Sequence, residues 1–226
     1  MKKSTLLLVS ILMLSLSGIY AQKTSKSYLT SGPEFIFSFA QIDNDGDESG
    51  NVMRFSAFFH LQGFYNYDFN NTVGLFTGLA LRNVGFIYNT PEPGLKMKYR
   101  TYNVGIPVGF KLGSMKGTHF FAGYELEFPI NYKEKTFNNE RKDDKFNVWF
   151  SDRVPVIYNT VLFGVQFPYG VNLKFKYYLT NFFNQDYSEV NTDGVTVYPY
   201  ANMDVQIFYF SLTFNLSERL YLKYID

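Results

Sequence analysis

The chain has 226 residues, a formal net charge of +1, no cysteine, and 20% aromatic residues. That length fits one domain, the lack of cysteine excludes a disulfide-stapled secreted scaffold, and the near-neutral charge gives no basic excess to recruit nucleic acid. No apolar run approaches helix-spanning length and the mean hydropathy is −0.14, which excludes a helical membrane protein.

The N-terminus reads as a secretory leader over residues 1–21. Lys2 and Lys3 form its charged start, Leu6 to Leu16 its apolar segment, and Gly18-Ile19-Tyr20-Ala21 before Gln22 its cleavage site. The apolar segment falls well short of the roughly 20 residues that a spanning helix needs.

Eight strands follow in the pattern. The first covers 29–40, with Phe35, Phe37 and Phe39 on one face. The second covers 52–67 and sets Phe55, Ala57, Phe59, Leu61, Tyr65 and Tyr67 against Arg54, Ser56, His60, Gln62 and Asn66. The third, 73–88, carries Leu75, Leu79 and Leu81 outward and Gly74, Gly78, Ala80 and Arg82 inward. Its alternation blurs after Arg82, which predicts a bulge there. The fourth, 98–112, alternates Tyr102, Val104, Ile106, Val108, Phe110 and Leu112 with Asn103, Gly105, Gly109 and Lys111. Pro107 predicts a local loss of ladder hydrogen bonding.

The fifth, 120–132, is the clearest. Phe120, Ala122, Tyr124, Leu126, Phe128, Ile130 and Tyr132 interleave with His119, Gly123, Glu125, Glu127, Asn131 and Lys133. The sixth covers 156–167. The seventh, 171–180, opposes Leu173, Phe175, Tyr177 and Leu179 to Asn172, Lys174, Lys176 and Tyr178. The eighth covers 205–216, and a tail follows from 217 to 226.

Connections after odd strands are long (41–51, 89–97, 134–153, 181–203), and those after even strands are short (68–71, 113–117, 168–170). Long alternating strands, alternating loop lengths and an even count predict an all-β, eight-stranded antiparallel up-and-down transmembrane barrel over 22–216. A soluble barrel is the rival, but its polar face would be water-washed rather than a tight mixture of glycines and fixed charges. The expected address is the cell outer membrane. Outer-membrane lipid and lipopolysaccharide would be the surroundings, and the barrel is expected to be a monomer.

An eight-stranded interior is only wide enough for its side chains to fill. The inward charges Arg54, His60, Arg82, Lys111, His119, Glu125, Glu127, Lys174 and Lys176 are therefore predicted to form a lumenal ion-pair network. No catalytic, cofactor or metal site is predicted. His60 and His119 are the only histidines, and along a continuous strand Ser56 lies about 13 Å from His60, out of hydrogen-bond reach. The loop Asp43-Asn44-Asp45-Gly46-Asp47-Glu48 resembles a calcium loop only in part, with glycine at its fourth position and Arg54 at its twelfth. The charged connection 134–153, ending in Trp149 and Phe150, and the aromatic connection 181–203 are the remaining binding candidates. The aromatics of the latter, Phe182, Phe183, Tyr187, Tyr198 and Tyr200, are expected in the outer interfacial girdle or packed on the barrel rim.

The chain resembles the outer-membrane β-barrel, porin-family proteins of the Bacteroidota. The resemblance is carried by the leader end Ala21-Gln22, by Gly74-Leu75-Phe76-Thr77-Gly78-Leu79 with Asn83-Val84-Gly85-Phe86, by Ile106-Pro107, by Leu173-Lys174-Phe175-Lys176-Tyr177 and by Ser211-Leu212-Thr213-Phe214. It implies an integral outer-membrane barrel with a periplasmic N-terminus and supplies no catalytic residues. The expected role is non-enzymatic: envelope integrity, or binding of a surface ligand or envelope protein through the outer loops. A small-solute channel, a lipid-modifying enzyme and an accessory subunit of a secretion machine are the alternatives.

Overall fold

The computed structural model describes residues 26–44, 46–48 and 51–217. The leader 1–21, the tail beyond 217 and residues 45, 49 and 50 of the acidic loop lie outside the described residues. The fold is an antiparallel all-β sheet, and among the described residues no helix is long and apolar enough to cross a membrane.

The first strand path is β1 (Ser27–Ser31) and β2 (Glu34–Asn44), interrupted at Gly32-Pro33, and β3 (Asp47–Glu48) folds back on it. The second path is β4 (Asn51–Val52), β5 (Arg54–Ser56) and β6 (Leu61–Asp68). Then come β7 (Val73–Asn89), β8 (Leu95–Gly113), β9 (His119–Asn138) and β10 (Arg141–Trp149). They are followed by β11 (Tyr158–Gln166), β12 (Val171–Tyr178), β13 (Glu189–Val190), β14 (Thr196–Val197), β15 (Met203–Phe214) and β16 (Leu216–Ser217). Hydrogen-bonded neighbours run β1, β6, β7, β8, β9, β11, β12, β15, β2. In addition β2 pairs with β5, β4 with β7, and β16 with β1.

Period-two alternation sends the large apolar side chains to the exposed face and the charges to the covered one. Val108, Phe120 and Phe163 are 61%, 63% and 57% exposed, whereas Arg82 is 1% exposed and Lys176 0%. This is the reverse of a soluble protein, where Lys, Arg and Glu are almost never fully buried. The covered face has no second layer of structure over it. It is buried because the sheet curls round until side chains of β2, β7, β9 and β12 meet.

Four expectations need correction. The second strand is not continuous over 52–67: it breaks between Ser56 and Leu61, where Phe59 takes φ 65° and Phe58 and Phe59 point out at 77% and 67% exposure. β7 has no bulge after Arg82, since its register with β8 is unbroken from Ala80↔Gly105 to Asn89↔Lys96. The pattern blurs there because the covered face turns apolar, with Val84, Phe86 and Tyr88 in the core. The register shift falls instead at Tyr102/Asn103 of β8, opposite Pro129 and Asn131 of β9. The connection 134–153 is not a loop. β9 and β10 form a hairpin, paired from Asn138↔Arg141 down to Asn131↔Trp149; β8 flanks β9 up to Leu95↔Asn138, and among the described residues β10 pairs only with β9. Finally, the aromatics of 181–203 do not all stay on the rim: Phe182, Phe183 and Tyr200 are buried in the core cluster.

Pro107 does interrupt the ladder. β7–β8 pairing is lost opposite Gly78 and Leu79 and resumes in the same register, while Thr77 Oγ1 donates to the Pro107 carbonyl at 2.8 Å.

Candidate functional site

Alternation brings six charged side chains to the middle of the covered face. They are Glu34 of β2, Arg82 of β7, Glu125 and Glu127 of β9, and Lys174 and Lys176 of β12. Arg82 Nε donates to Glu34 Oε2 at 3.0 Å, and its Nη1 donates to Glu125 and, at 3.4 Å, to Glu127 Oε1. Lys176 Nζ donates to Glu125 Oε2 at 2.8 Å and to Glu127. Lys174 Nζ meets Glu34 Oε1 at 2.6 Å, and Ser211 donates to the same oxygen at 2.7 Å. Asn103 and Tyr178 donate to Glu127 Oε2 at 2.7 and 2.6 Å.

Three carboxylates thus face three cations, all buried, and neutral donors take up remaining carboxylate lone pairs. Only such balance makes buried charge tolerable, because desolvation costs several kcal/mol per ion unless the pairing is complete. Gly105 makes the space: a Cβ there would overlap Glu125 Oε1 and crowd Arg82.

The other predicted residues lie apart from this group. Lys111 Nζ donates to Asp68 Oδ1 at 2.7 Å, Tyr28 Oη at 2.9 Å and Asn66 Oδ1 at 3.1 Å, nearer the short turns. Arg54 donates to Asn83 Oδ1 at 2.6 Å and to the Asn83 carbonyl at 3.3 Å, with no carboxylate partner among the described residues. His119 is buried beside the turn 113–117. Two members escaped the sequence reading. Glu34 shares its parity with Ile36 and Ser38 but stands next to the dominant Phe35-Phe37-Phe39 face. Asp68 reads as a turn residue.

Ser56 and His60 are in contact, against expectation, at 2.8 Å between Oγ and Nε2. The 13 Å separation assumed a straight strand, and the break at residues 57–60 folds it away. The pair is not an activated nucleophile. The Asn83 N–H donates to His60 Nδ1 at 3.3 Å, so Nε2 carries the proton and donates to Ser56. No carboxylate hydrogen-bonds to the ring among the described residues. A base for Ser56 would need the opposite tautomer.

Above the ionic layer, toward the long connections, the interior is aromatic. Phe183 stacks on Tyr200 at 4.2 Å, Phe182 meets Phe86 edge-on at 5.1 Å, and Phe183 meets Tyr99 at 5.0 Å. Tyr158 Oη donates to the Phe182 carbonyl at 2.7 Å and ties the segment down. Below the ionic layer a cavity of about 700 Å³ reaches the short turns, lined among others by Gln62, Phe76, Arg82, Lys111, His119 and Lys174.

A second cavity of about 450 Å³ lies at the opposite end, between the hairpin and the 181–203 segment. There Arg153 pairs with Glu189 at 2.5 Å, and Tyr132 Oη donates to Glu134 Oε2 at 2.8 Å. Burial raises the Glu134 pKa above the usual carboxylate range. The Tyr132 hydrogen bond and Arg153 oppose that shift, while Asp144 and Glu189 add to it.

Among the described residues no group of three or more His, Asp or Glu side chains is placed to hold a metal. Asp43 of the acidic loop accepts the Gly46 N–H at 2.9 Å, a turn-forming contact.

No family model matches the chain, and no curated protein matches it. Solved structures do. Ail, the attachment invasion locus protein of Yersinia pestis, shares 13% identity over 84% of this chain and 97% of that one, with a TM-score of 0.37. Neisserial surface protein A shares 12% over 84% and 97%, at 0.38. The outer membrane protein OprG from Pseudomonas aeruginosa shares 10% over 85% and 96%, at 0.39. Identities and scores this low carry no argument about function.

Proposed function

We propose that the chain is a closed, eight-stranded, up-and-down barrel of the bacterial outer membrane, monomeric, with a shut lumen, and that it acts by surface binding or envelope support. Counting β1 with β2 and β4–β6 as single interrupted paths and β10 as an extension, and setting aside the two-residue pieces β3, β13, β14 and β16, leaves eight strands. The pairings β15–β2, β2–β5 and β1–β6 then join the last path to the first and the first to the second. Membrane location is supported by the inverted surface. The outward apolar run of β8 from Tyr102 to Leu112 spans roughly 34 Å of strand at about 3.4 Å per residue. Tilted by about 40°, it rises roughly 26 Å, close to the ~25 Å apolar band of such barrels. Short turns mark the periplasmic end and long connections the outer end.

The observation that carries the reading is what fills the interior: the buried six-charge layer and the buried ring cluster of Phe182, Phe183 and Tyr200. A plugged barrel is a poor channel, and the protonated Nε2 of His60 argues against hydrolysis at Ser56. The test is purified protein in planar bilayers together with liposome swelling. The reading expects no steady conductance and no swelling; reproducible channel steps would replace it with the small-solute channel.

The 700 Å³ cavity favours a second reading, a small solute held from the periplasmic side near Lys111 and Lys174. A thermal-shift screen of anionic metabolites against Lys111→Met would discriminate it.

A further inference from the structure

The hairpin of β9 and β10, with the adjoining end of β8, carries an outward face unlike the rest of the exterior. Tyr99, Thr101 and Tyr132 are buried on the inward face, so the alternate positions lie on the outward face, where Asn131 is itself buried and donates to the Val148 carbonyl at 3.1 Å. Three cross-strand rows result. The lowest is Tyr102–Asn131–Trp149, at the upper limit of the apolar band. Next comes Arg100–Lys133–Asn147, then Lys98–Lys135–Lys145. Successive rows are two residues apart, so the cations stand about 7 and 14 Å along the strands above the tyrosine and tryptophan.

Like charges directly opposite one another destabilise a sheet. Here five cations are set side by side, and among the described residues none of the five makes an ion pair. Of the nearby acids, Glu140 pairs with Lys96 at 3.0 Å, Glu134 and Asp144 line the cavity on the other face of the hairpin, and the exposed Asp143 falls in the register shift between Lys142 and Asp144. The crowding is visible in the lysines themselves. Burial lowers the pKa of Lys98, Lys133 and Lys135; repulsion from Arg100 and a neighbouring lysine adds to it in each, after that from Arg54 for Lys98. An arrangement that costs stability in isolation and sits just above an aromatic girdle is suited to multivalent anions at headgroup level.

We propose that this face binds the phosphate groups of a phosphorylated glycolipid of the outer leaflet. Lys98, Lys135 and Lys145 form one phosphate-facing row, Arg100 and Lys133 a second, and Tyr102 and Trp149 rest against the acyl chains below. The inference depends on the membrane reading given under Proposed function.

The test uses the full chain in neutral detergent. Bisphosphorylated lipid A, its dephosphorylated form and inorganic phosphate are titrated separately, with native mass spectrometry and the emission of Trp149, the only tryptophan, as readouts. The parent should bind the bisphosphorylated lipid at least tenfold more tightly than the dephosphorylated one, with affinity falling as salt rises. The combined variant Lys98→Gln/Lys135→Gln/Lys145→Gln should lose that preference, whereas Lys26→Gln at the opposite end should keep it. Equal affinity for the two lipids, an unchanged triple variant, or saturation by inorganic phosphate at the same concentration would overturn the proposal. A gel shift between boiled and unboiled samples, run on each variant, reports separately on barrel formation. A parent that keeps the gel shift but shows no preference between the two lipids refutes this site and leaves the membrane reading standing.

Discussion

Removing Arg82 leaves Glu34, Glu125 and Glu127 facing only Lys174 and Lys176. An uncompensated buried charge costs about 3–5 kcal/mol, so Arg82→Met should destabilise by that order in urea titrations from lipid vesicles. Arg82→Met/Glu125→Leu restores the charge count and should recover part of the loss, a coupling of about 0.5–3 kcal/mol in a double-mutant cycle. Gly105→Ala belongs to the same chemistry. It adds one methyl and no charge, yet forces Glu125 away from Arg82. It should cost about 1–3 kcal/mol by overpacking, while an alanine at the half-buried turn residue Gly117, with only Ser114 near its Cβ position, should cost less. At this scale the sequence was informative where alternation was clean. The parities of Arg82, Glu125, Glu127, Lys174 and Lys176 are readable from their neighbours. Glu34 was hidden by its aromatic flanks, and the Ser56–His60 contact depends on a chain break that Phe58 and Phe59 do not announce.

The β9–β10 hairpin is the element that periodicity alone did not reveal. Its charges read as a solvated loop because neither face is uniformly apolar: lysines lie outward, and Glu134 and Asp144 share the inward face with Tyr132, Phe146 and Val148. Glu134 on the inward face makes it pH-sensitive. Its folded pKa is raised, so the folded hairpin holds a proton more tightly than the unfolded chain does. The stabilisation is therefore complete below the unfolded carboxylate value of about 4.3 and is lost as pH rises through the higher folded value. Amide exchange in β10 should accelerate across that window, and Glu134→Gln should flatten the response. On the neighbouring wall, Leu126 faces outward near mid-strand, paired with Ile106 and Asn159. Leu126→Arg should cost about 2–4 kcal/mol if that wall meets lipid, and Leu126→Ile little. Vesicle insertion assays measure both.

For the molecule as a whole, strand order and the inside–outside assignment were legible because a period of two leaves only two choices per strand. What fills the outer mouth was not. Phe182, Phe183 and Tyr200 belong to a segment without period, and their inward fold follows from the greasy upper interior offered by Phe86, Tyr99 and Tyr158. Phe183→Ala, which empties the stack on Tyr200, should cost about 3–5 kcal/mol; on the proposed shut-lumen reading it should also leave the protein non-conducting, because the ionic layer lies beneath.

That blockage bears on how many copies a cell can tolerate. An open pore adds a leak with every molecule inserted, so its abundance is bounded by the permeability the envelope can withstand. A stoppered cylinder carries no such limit. If the closure proposed above holds, dense packing of such cylinders into the bilayer, like bricks set in a wall, adds no leak.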